Sequence, residues 1–130
     1  MTLEPGLRAA FPYTVAEADT AVALGSGEVP VLGTPRVVGL AEGATVAAVA
    51  GVLAAGATTV GARVELDHLA PSLIGAELEV EAVLERVAGR RLQFAVRLRD
   101  GGRPVASGHV TRAGRRRRSG GRRRCPPPPG

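Results

Sequence analysis

Between Val37 and Thr58 a single side chain carries a charge, Glu42, in the run Thr34 to Thr58 that reads TPRVVGLAEGATVAAVAGVLAAGAT. A helix built from that run is expected to be apolar nearly all round and enclosed by the rest of the chain, which would bury the carboxylate. A lone buried carboxylate is costly unless it is hydrogen-bonded or protonated, so Glu42 is the first candidate for acid–base or nucleophilic chemistry. Two further residues could serve it. His68 supplies an imidazole that gives or takes a proton near neutral pH, and the Thr34 hydroxyl, eight residues before Glu42, could hold a water or a substrate atom. The plainer structural readings are a core histidine satisfied by a hydrogen bond and, for a threonine before Pro35, a helix cap.

The surrounding pattern says how these groups would be held. Thr34 with Pro35 is a helix-start signal, and Gly51 and Gly56 with Thr58 mark the end of the helix. Residues 38, 42, 45, 46 and 49 then share a side, which places Glu42 with Val38, Val46 and Val49 against a packed surface. Before the helix, Leu7 to Val15 alternates as a strand, with Pro12 confining it to an edge or a bulge. Residues 16–33 show no sustained period and read as a short turn or helix and a loop that approaches the central element.

Four alternating segments follow. Val60, Ala62, Val64, Leu66 and His68 are expected on one face, with Arg63, Glu65 and Asp67 on the other, so that His68 points inward. Ala76, Leu78, Val80, Ala82 and Leu84 oppose Glu77, Glu79, Glu81 and Glu85, and Leu92, Phe94, Val96 and Leu98 oppose Arg91, Gln93, Arg97 and Arg99. The acidic and basic outer rows would pair across neighbouring strands. Gly89-Arg90 makes one turn and Asp100-Gly101-Gly102 a hairpin into a last strand, Pro104 to Arg112. A strand, a long apolar helix and four antiparallel strands make a two-layer α+β domain, a five-stranded antiparallel sheet wrapped around one central helix, which is the hotdog architecture.

Composition sets the remaining limits. A chain of 130 residues holds one modest core, so part of its apolar surface calls for a second subunit and a homodimer is expected. The net charge of +5 is unevenly placed: residues 113–130 carry seven arginines and no acid, leaving ten Arg against 12 Asp and Glu in residues 1–112. The division is therefore a domain over 1–112 and an Arg/Pro/Gly-rich tail over 113–130, with the tail expected to be disordered. Its functional reading is salt-sensitive binding to nucleic acid or another anionic surface, and its plainer one, preferred here, is an extension without a selected role. Cys125 stands alone, which excludes an internal disulfide framework and a cysteine metal site. The opening residues MTLEPGLRAAF show no export signal, and Glu42 with the Ala/Gly content argues against a membrane helix, so a cytoplasmic protein is expected.

Thr34, Glu42, Gly61, His68, the GRRL of 89–92, the DG of 100–101, the SG of 107–108 and Arg112 together resemble the fluoroacetyl-CoA thioesterase-like branch of the hotdog superfamily. That resemblance implies a dimer that hydrolyses a small acyl-CoA to CoA and a carboxylate. It implies Thr34, Glu42 and His68 as the catalytic trio and Gly61 and Arg112 as residues near the bound acyl-CoA. No cofactor is implied, because CoA is part of the substrate. Two features depart from the pattern. The aromatic lid linked with fluoroacetyl selectivity has no counterpart, since no aromatic residue lies between Tyr13 and Phe94, and Val110 stands where a histidine precedes the matching arginine.

The residues themselves suit thioester hydrolysis, which needs an activated water or a nucleophile and donors for the developing oxyanion. Glu42 would be base or direct nucleophile, His68 would pass a proton to the leaving thiolate, Thr34 would position water or substrate, and Gly61 would let a substrate arm approach. Taken singly, Gly61 also fits a bulge and Arg112 a solvated charge. In one straight helix Thr34 and Glu42 stand about 12 Å apart, so they either flank the substrate or the chain bends at Thr34. Two other functions remain open on these residues: a hydratase or dehydratase acting on enoyl-thioesters, and a non-catalytic module that binds acyl-thioesters or nucleic acid.

Overall fold

A computed structural model describes residues 3–116. The chain runs through strand β1 (Arg8–Thr14), a 3-10 turn (Glu17–Asp19), the short helix α1 (Ala21–Leu24), the long helix α2 (Thr34–Val49), and strands β2 (Ala57–His68), β3 (Glu77–Ala88), β4 (Arg91–Asp100) and β5 (Arg103–Arg116). The five strands form one antiparallel sheet in the order β1-β3-β4-β5-β2. Helix α2 lies across one face, mainly over β3 and β1. This is the expected α+β hotdog arrangement.

Alternation in the strands makes the core. Leu92, Phe94, Val96 and Leu98 of β4 and Leu78, Val80, Ala82 and Leu84 of β3 are buried with Val37, Ala41, Ala44, Ala48 and Val49 of α2. The outer rows pair as the charges require: Glu79 faces Arg99 and Glu81 faces Arg97 across β3 and β4. Glu81 is almost fully enclosed and takes ion pairs from both Arg97 and Arg8. Burial pushes its carboxyl up, and the hydrogen bond and charge of Arg97, with Arg8, outweigh it and hold the group below its ordinary range. Pro12 sits in β1, an edge strand, where proline is tolerated. The β4–β5 hairpin turns on Gly101, at φ +61°, a left-handed conformation that suits glycine.

Three expectations are corrected. Helix α2 is not enclosed all round: Gly39, Gly43, Val46, Ala47 and Ala50 form an open stripe, with Val46 47% exposed, because the sheet covers only one side of it. The faces of β2 do not alternate uninterrupted, since Gly61 pairs with Arg112 and Arg63 with Thr111, leaving Ala62 as the extra residue of a bulge. The bulge turns Gly61 toward α2 and leaves Val60 and Ala62, expected inside, exposed; beyond it Val64, Leu66 and His68 face inward as expected. Finally, β5 continues past Arg112 to Arg116, so the domain takes in the first four residues assigned to the tail. The rest of that tail, including Cys125, lies outside the described residues.

The connection from β1 to α2 is tied down by Asp19, which is 2% exposed. Its carboxylate accepts hydrogen bonds from the Tyr13 hydroxyl (2.7 Å) and the Ala16 N–H (2.8 Å). It also stands 2.8 Å from Arg36 Nε in an ion pair not aligned as a hydrogen bond. The Asp19 carbonyl accepts the Gly33 N–H at 2.9 Å, so this one residue fixes where α2 begins. The bond to Asp19 and burial raise the Tyr13 hydroxyl above its ordinary pKa. Replacing Asp19 with Ala leaves the half-buried Tyr13 hydroxyl, the Ala16 amide and the Arg36 guanidinium without this partner. The expected loss is about 2–3 kcal/mol of stability, which a thermal melt should show as a fall of about 10 °C. An unchanged melt would contradict this role.

Candidate active site

Thr34 is the first residue of α2, not its cap; Gly33 holds the N-cap position and no side chain caps the helix there. The Thr34 hydroxyl is therefore available, and it meets His68 Nδ1 at 2.8 Å. The local sequence explains the meeting: the Asp19–Gly33 bond sets the helix start, and β2 ends at His68 on the inward face. His68 Nε2 is enclosed and has no hydrogen-bond partner among the described residues. Burial lowers the imidazole pKa below its ordinary 6.5, with the Ala70 backbone working in the opposite direction. A cavity of about 270 Å³ opens beside the pair, lined by Ala21, Ser26, Val31, Leu32 and Ala70 as well as Thr34 and His68.

Two turns along α2, Glu42 belongs to a second cluster. Its Oε2 lies 3.4 Å from Arg112 Nη1. Arg112, with its side chain only 8% exposed, also donates through Nε to the Thr59 hydroxyl (2.8 Å) and through Nη2 to the Thr59 carbonyl (3.1 Å). The guanidinium is thus fixed by the start of β2 before it meets the carboxylate. Gly61, opposite Arg112 in the sheet, makes room for it: a Cβ at position 61 would collide with Glu42 Oε2. Glu42 was expected to be buried, and its side chain is 35% exposed, because it faces the open flank beside β2 and not the packed core.

All five residues singled out from the sequence line the same flank, in two groups. Thr34 joins His68, and Glu42 joins Arg112 and Gly61; no hydrogen bond connects the groups. Because α2 is continuous from Thr34 to Val49, the chain does not bend back, and about 12 Å of helix separates Thr34 from Glu42. Thr59 and Asp19 went unnoticed in the sequence. Thr59 lies in a Thr-Thr pair at a strand start with no distinguishing neighbours, whereas Asp19 could have been suspected from Thr20, which follows it and caps α1. Among the described residues no three His, Cys, Asp or Glu side chains gather to hold a metal ion. No described helix is long and apolar enough to cross a membrane.

Comparison with known proteins identifies the family. Residues 15–114 match the family model described as the fluoroacetyl-CoA-specific thioesterase. The solved fluoroacetyl-CoA thioesterase FlK is 30% identical, with a TM-score of 0.83, over 89% of this chain and 90% of that one. A thioesterase superfamily member from Thermus thermophilus is 25% identical, with a TM-score of 0.81, over 88% of this chain and 85% of its own. A hot-dog-like protein from Thermanaerovibrio acidaminovorans is also 25% identical, with a TM-score of 0.80, over 86% and 83%. No curated protein matches the chain.

The lowered His68 pKa gives a signed prediction. Between the folded midpoint and 6.5 the folded chain binds fewer protons than the unfolded one, so stability gained above 6.5 is lost as pH falls through that window. Followed by NMR, the His68 ring should titrate with a midpoint below 6.5; a midpoint above it would contradict the enclosed setting. Gly61→Ala should push the carboxylate off Arg112 and lower turnover at least tenfold in a folded protein, measured as kcat beside an unchanged circular dichroism spectrum.

Proposed function

Because the chain belongs to the fluoroacetyl-CoA-specific thioesterase family, we propose that it hydrolyses a small acyl-CoA to free CoA and a carboxylate, with Glu42, His68 and Thr34 as its catalytic residues. The observation that carries this reading is a carboxylate pinned by Arg112 on one side of an open flank with a Thr34–His68 pair on the other. A thioester lying between them is reached from both sides. Glu42 either takes a proton from the water that attacks the carbonyl carbon or attacks that carbon itself, giving an anhydride that water then opens. With the Thr34 hydroxyl donating to Nδ1, the neutral imidazole carries its hydrogen on Nε2, the nitrogen left without a partner among the described residues, and donates a hydrogen bond to the departing thiolate, which takes up the proton that Glu42 removed from the water. Gly61 and Arg112 border the bound acyl-CoA. No cofactor enters the reaction.

The acyl group fits the cavity of about 270 Å³ beside Thr34 and His68. Its walls include no Phe, Tyr or Trp side chain, so selectivity for fluoroacetyl over acetyl is not part of this proposal. A homodimer completes the site. β2 is an edge strand, Val60 on it is 41% exposed, and the small-residue stripe of α2 stands open beside it. An open edge strand next to an apolar stripe is a surface that a second copy covers, and covering it would keep bulk water from Glu42.

Thiol release from acetyl-, propionyl-, butyryl- and fluoroacetyl-CoA tests the activity. Glu42→Ala should lower kcat by about 10²–10⁴-fold, the usual contribution of a positioned acid–base group; hydration of enoyl-CoA without thiol release would support the hydratase alternative instead. Sedimentation should return twice the chain mass of 13.3 kDa, and a monomer at micromolar concentration would refute the dimer.

A further inference from the structure

Seven large aliphatic side chains stand exposed among the described residues, and five of them, Val22, Val29, Leu69, Leu73 and Ile74, belong to two loops. Each of the five is more than half exposed. The loops, residues 20–33 and 69–75, run side by side: Val31 bridges to Leu73, and the Leu32 N–H donates to the Ser72 carbonyl at 2.9 Å. They hold one charged side chain between them, Glu28. Single exposed aliphatics are ordinary, but a set collected on two adjoining segments marks a place where an apolar ligand is taken up.

The same two loops wall the cavity beside Thr34 and His68, through Ala21, Ser26 and Val31 on one side and Leu69, Ala70 and Pro71 on the other. Backbone bonds hold these walls apart. The Ala21 N–H donates to the Val31 carbonyl and the Leu69 N–H to the Val105 carbonyl, each at 2.8 Å. Arg103 fixes the second loop from outside, through the Pro71 carbonyl at 3.2 Å. The hollow is therefore preformed, and apart from His68 none of its walls carries an acidic or basic side chain. It suits an aliphatic group and has no partner for a charged one.

Its size decides the length of that group. An apolar cavity of about 150 Å³ encloses benzene, so on the same scale about 270 Å³ holds about ten carbons. An acetyl group would leave most of that space to water. We propose that the acyl group hydrolysed here is an uncharged aliphatic chain of about six to ten carbons, lying beyond the carbonyl between residues 20–33 and 69–75, with the exposed aliphatics of the two loops covering its end. This rests on the thioesterase reading and names the acyl group within it, at the upper end of small acyl groups. It departs from the two-carbon fluoroacetyl group by which the family is described.

Thiol release from acetyl-, butyryl-, hexanoyl-, octanoyl- and decanoyl-CoA by the full-length protein, at concentrations below those at which the longer substrates form micelles, supplies the test. From acetyl to octanoyl kcat/KM should rise at least about 30-fold, as burial of successive methylenes requires; a smaller rise, or a fall, overturns the assignment. Two variants locate the effect. Val29→Ser with Leu73→Ser changes the exposed rim and should cut the octanoyl-to-acetyl ratio at least about threefold, and Ser26→Phe, which fills the cavity, should cut it at least about tenfold. An unchanged ratio in either variant overturns the assignment. So does a rim variant that sediments at half the wild-type mass, because the patch is then a subunit contact. Calorimetry with the octyl and ethyl thioethers of CoA, which cannot be hydrolysed, separates this inference from the activity. If no thioester is cleaved, the thioesterase reading fails; octyl-CoA binding at least tenfold tighter than ethyl-CoA, and lost in Ser26→Phe, would still support the apolar site, and equal binding would refute it.

Discussion

The ion pair between Arg112 and Glu42 joins the last strand to the middle of the long helix, and most of the flank is arranged to make it. Arg112 is nearly enclosed and its remaining donors are taken up by Thr59. A guanidinium held in this way meets its carboxylate with little freedom left to lose. Glu42 keeps a third of its side chain exposed, so the pair does not seal the carboxylate away. One side of the group is fixed to the sheet and the other faces the opening through which a substrate or water must come.

That pair depends on an irregularity in the backbone. Without the extra residue at Ala62, the inward row of β2 that ends at His68 would run through Ala62 and Val60, and a side chain would occupy the space Glu42 needs. The bulge restores an inward glycine at position 61 while leaving His68 inward at the far end of the strand. One strand thus presents a gap for the carboxylate and an imidazole for Thr34. The second anchor, Asp19, sets the start of α2 and so the height of Thr34 relative to His68. The bulge sets the position of Glu42 and Asp19 that of Thr34, so together they fix the separation of the two groups.

The architecture was legible because each strand carries its own period. The rows Leu92, Phe94, Val96 and Leu98 and Leu78 to Leu84 are buried as alternation requires, and Asp100-Gly101 makes the expected hairpin. The helix was legible in extent but not in environment. Alanine and glycine do not distinguish a face packed on a sheet from one left open, so the stripe through Gly43 and Ala47 read as buried. The bulge was legible only as one reading of Gly61: Val60, Ala62 and Val64 alternate well enough to pass for an uninterrupted strand, and what shifts them is pairing with β5, a long-range constraint. A helix cap was the plainer of the two readings of Thr34, because Thr before proline so often is one; in the fold Gly33 takes that place and the hydroxyl meets His68. The domain boundary fell short at Arg112 because strand pairing, not composition, carries β5 on to Arg116.

On the proposed mechanism a thioester carbonyl sits between the Glu42 carboxylate and the Thr34–His68 pair. A crystal structure with an acyl-CoA analogue in which a methylene replaces the thioester sulfur would test it most directly. The account predicts the analogue's carbonyl carbon within about 3–3.5 Å of a Glu42 oxygen or of a water held by it, with His68 on the opposite side. An analogue bound with its carbonyl far from that carboxylate, or on the other face of the sheet, would contradict it.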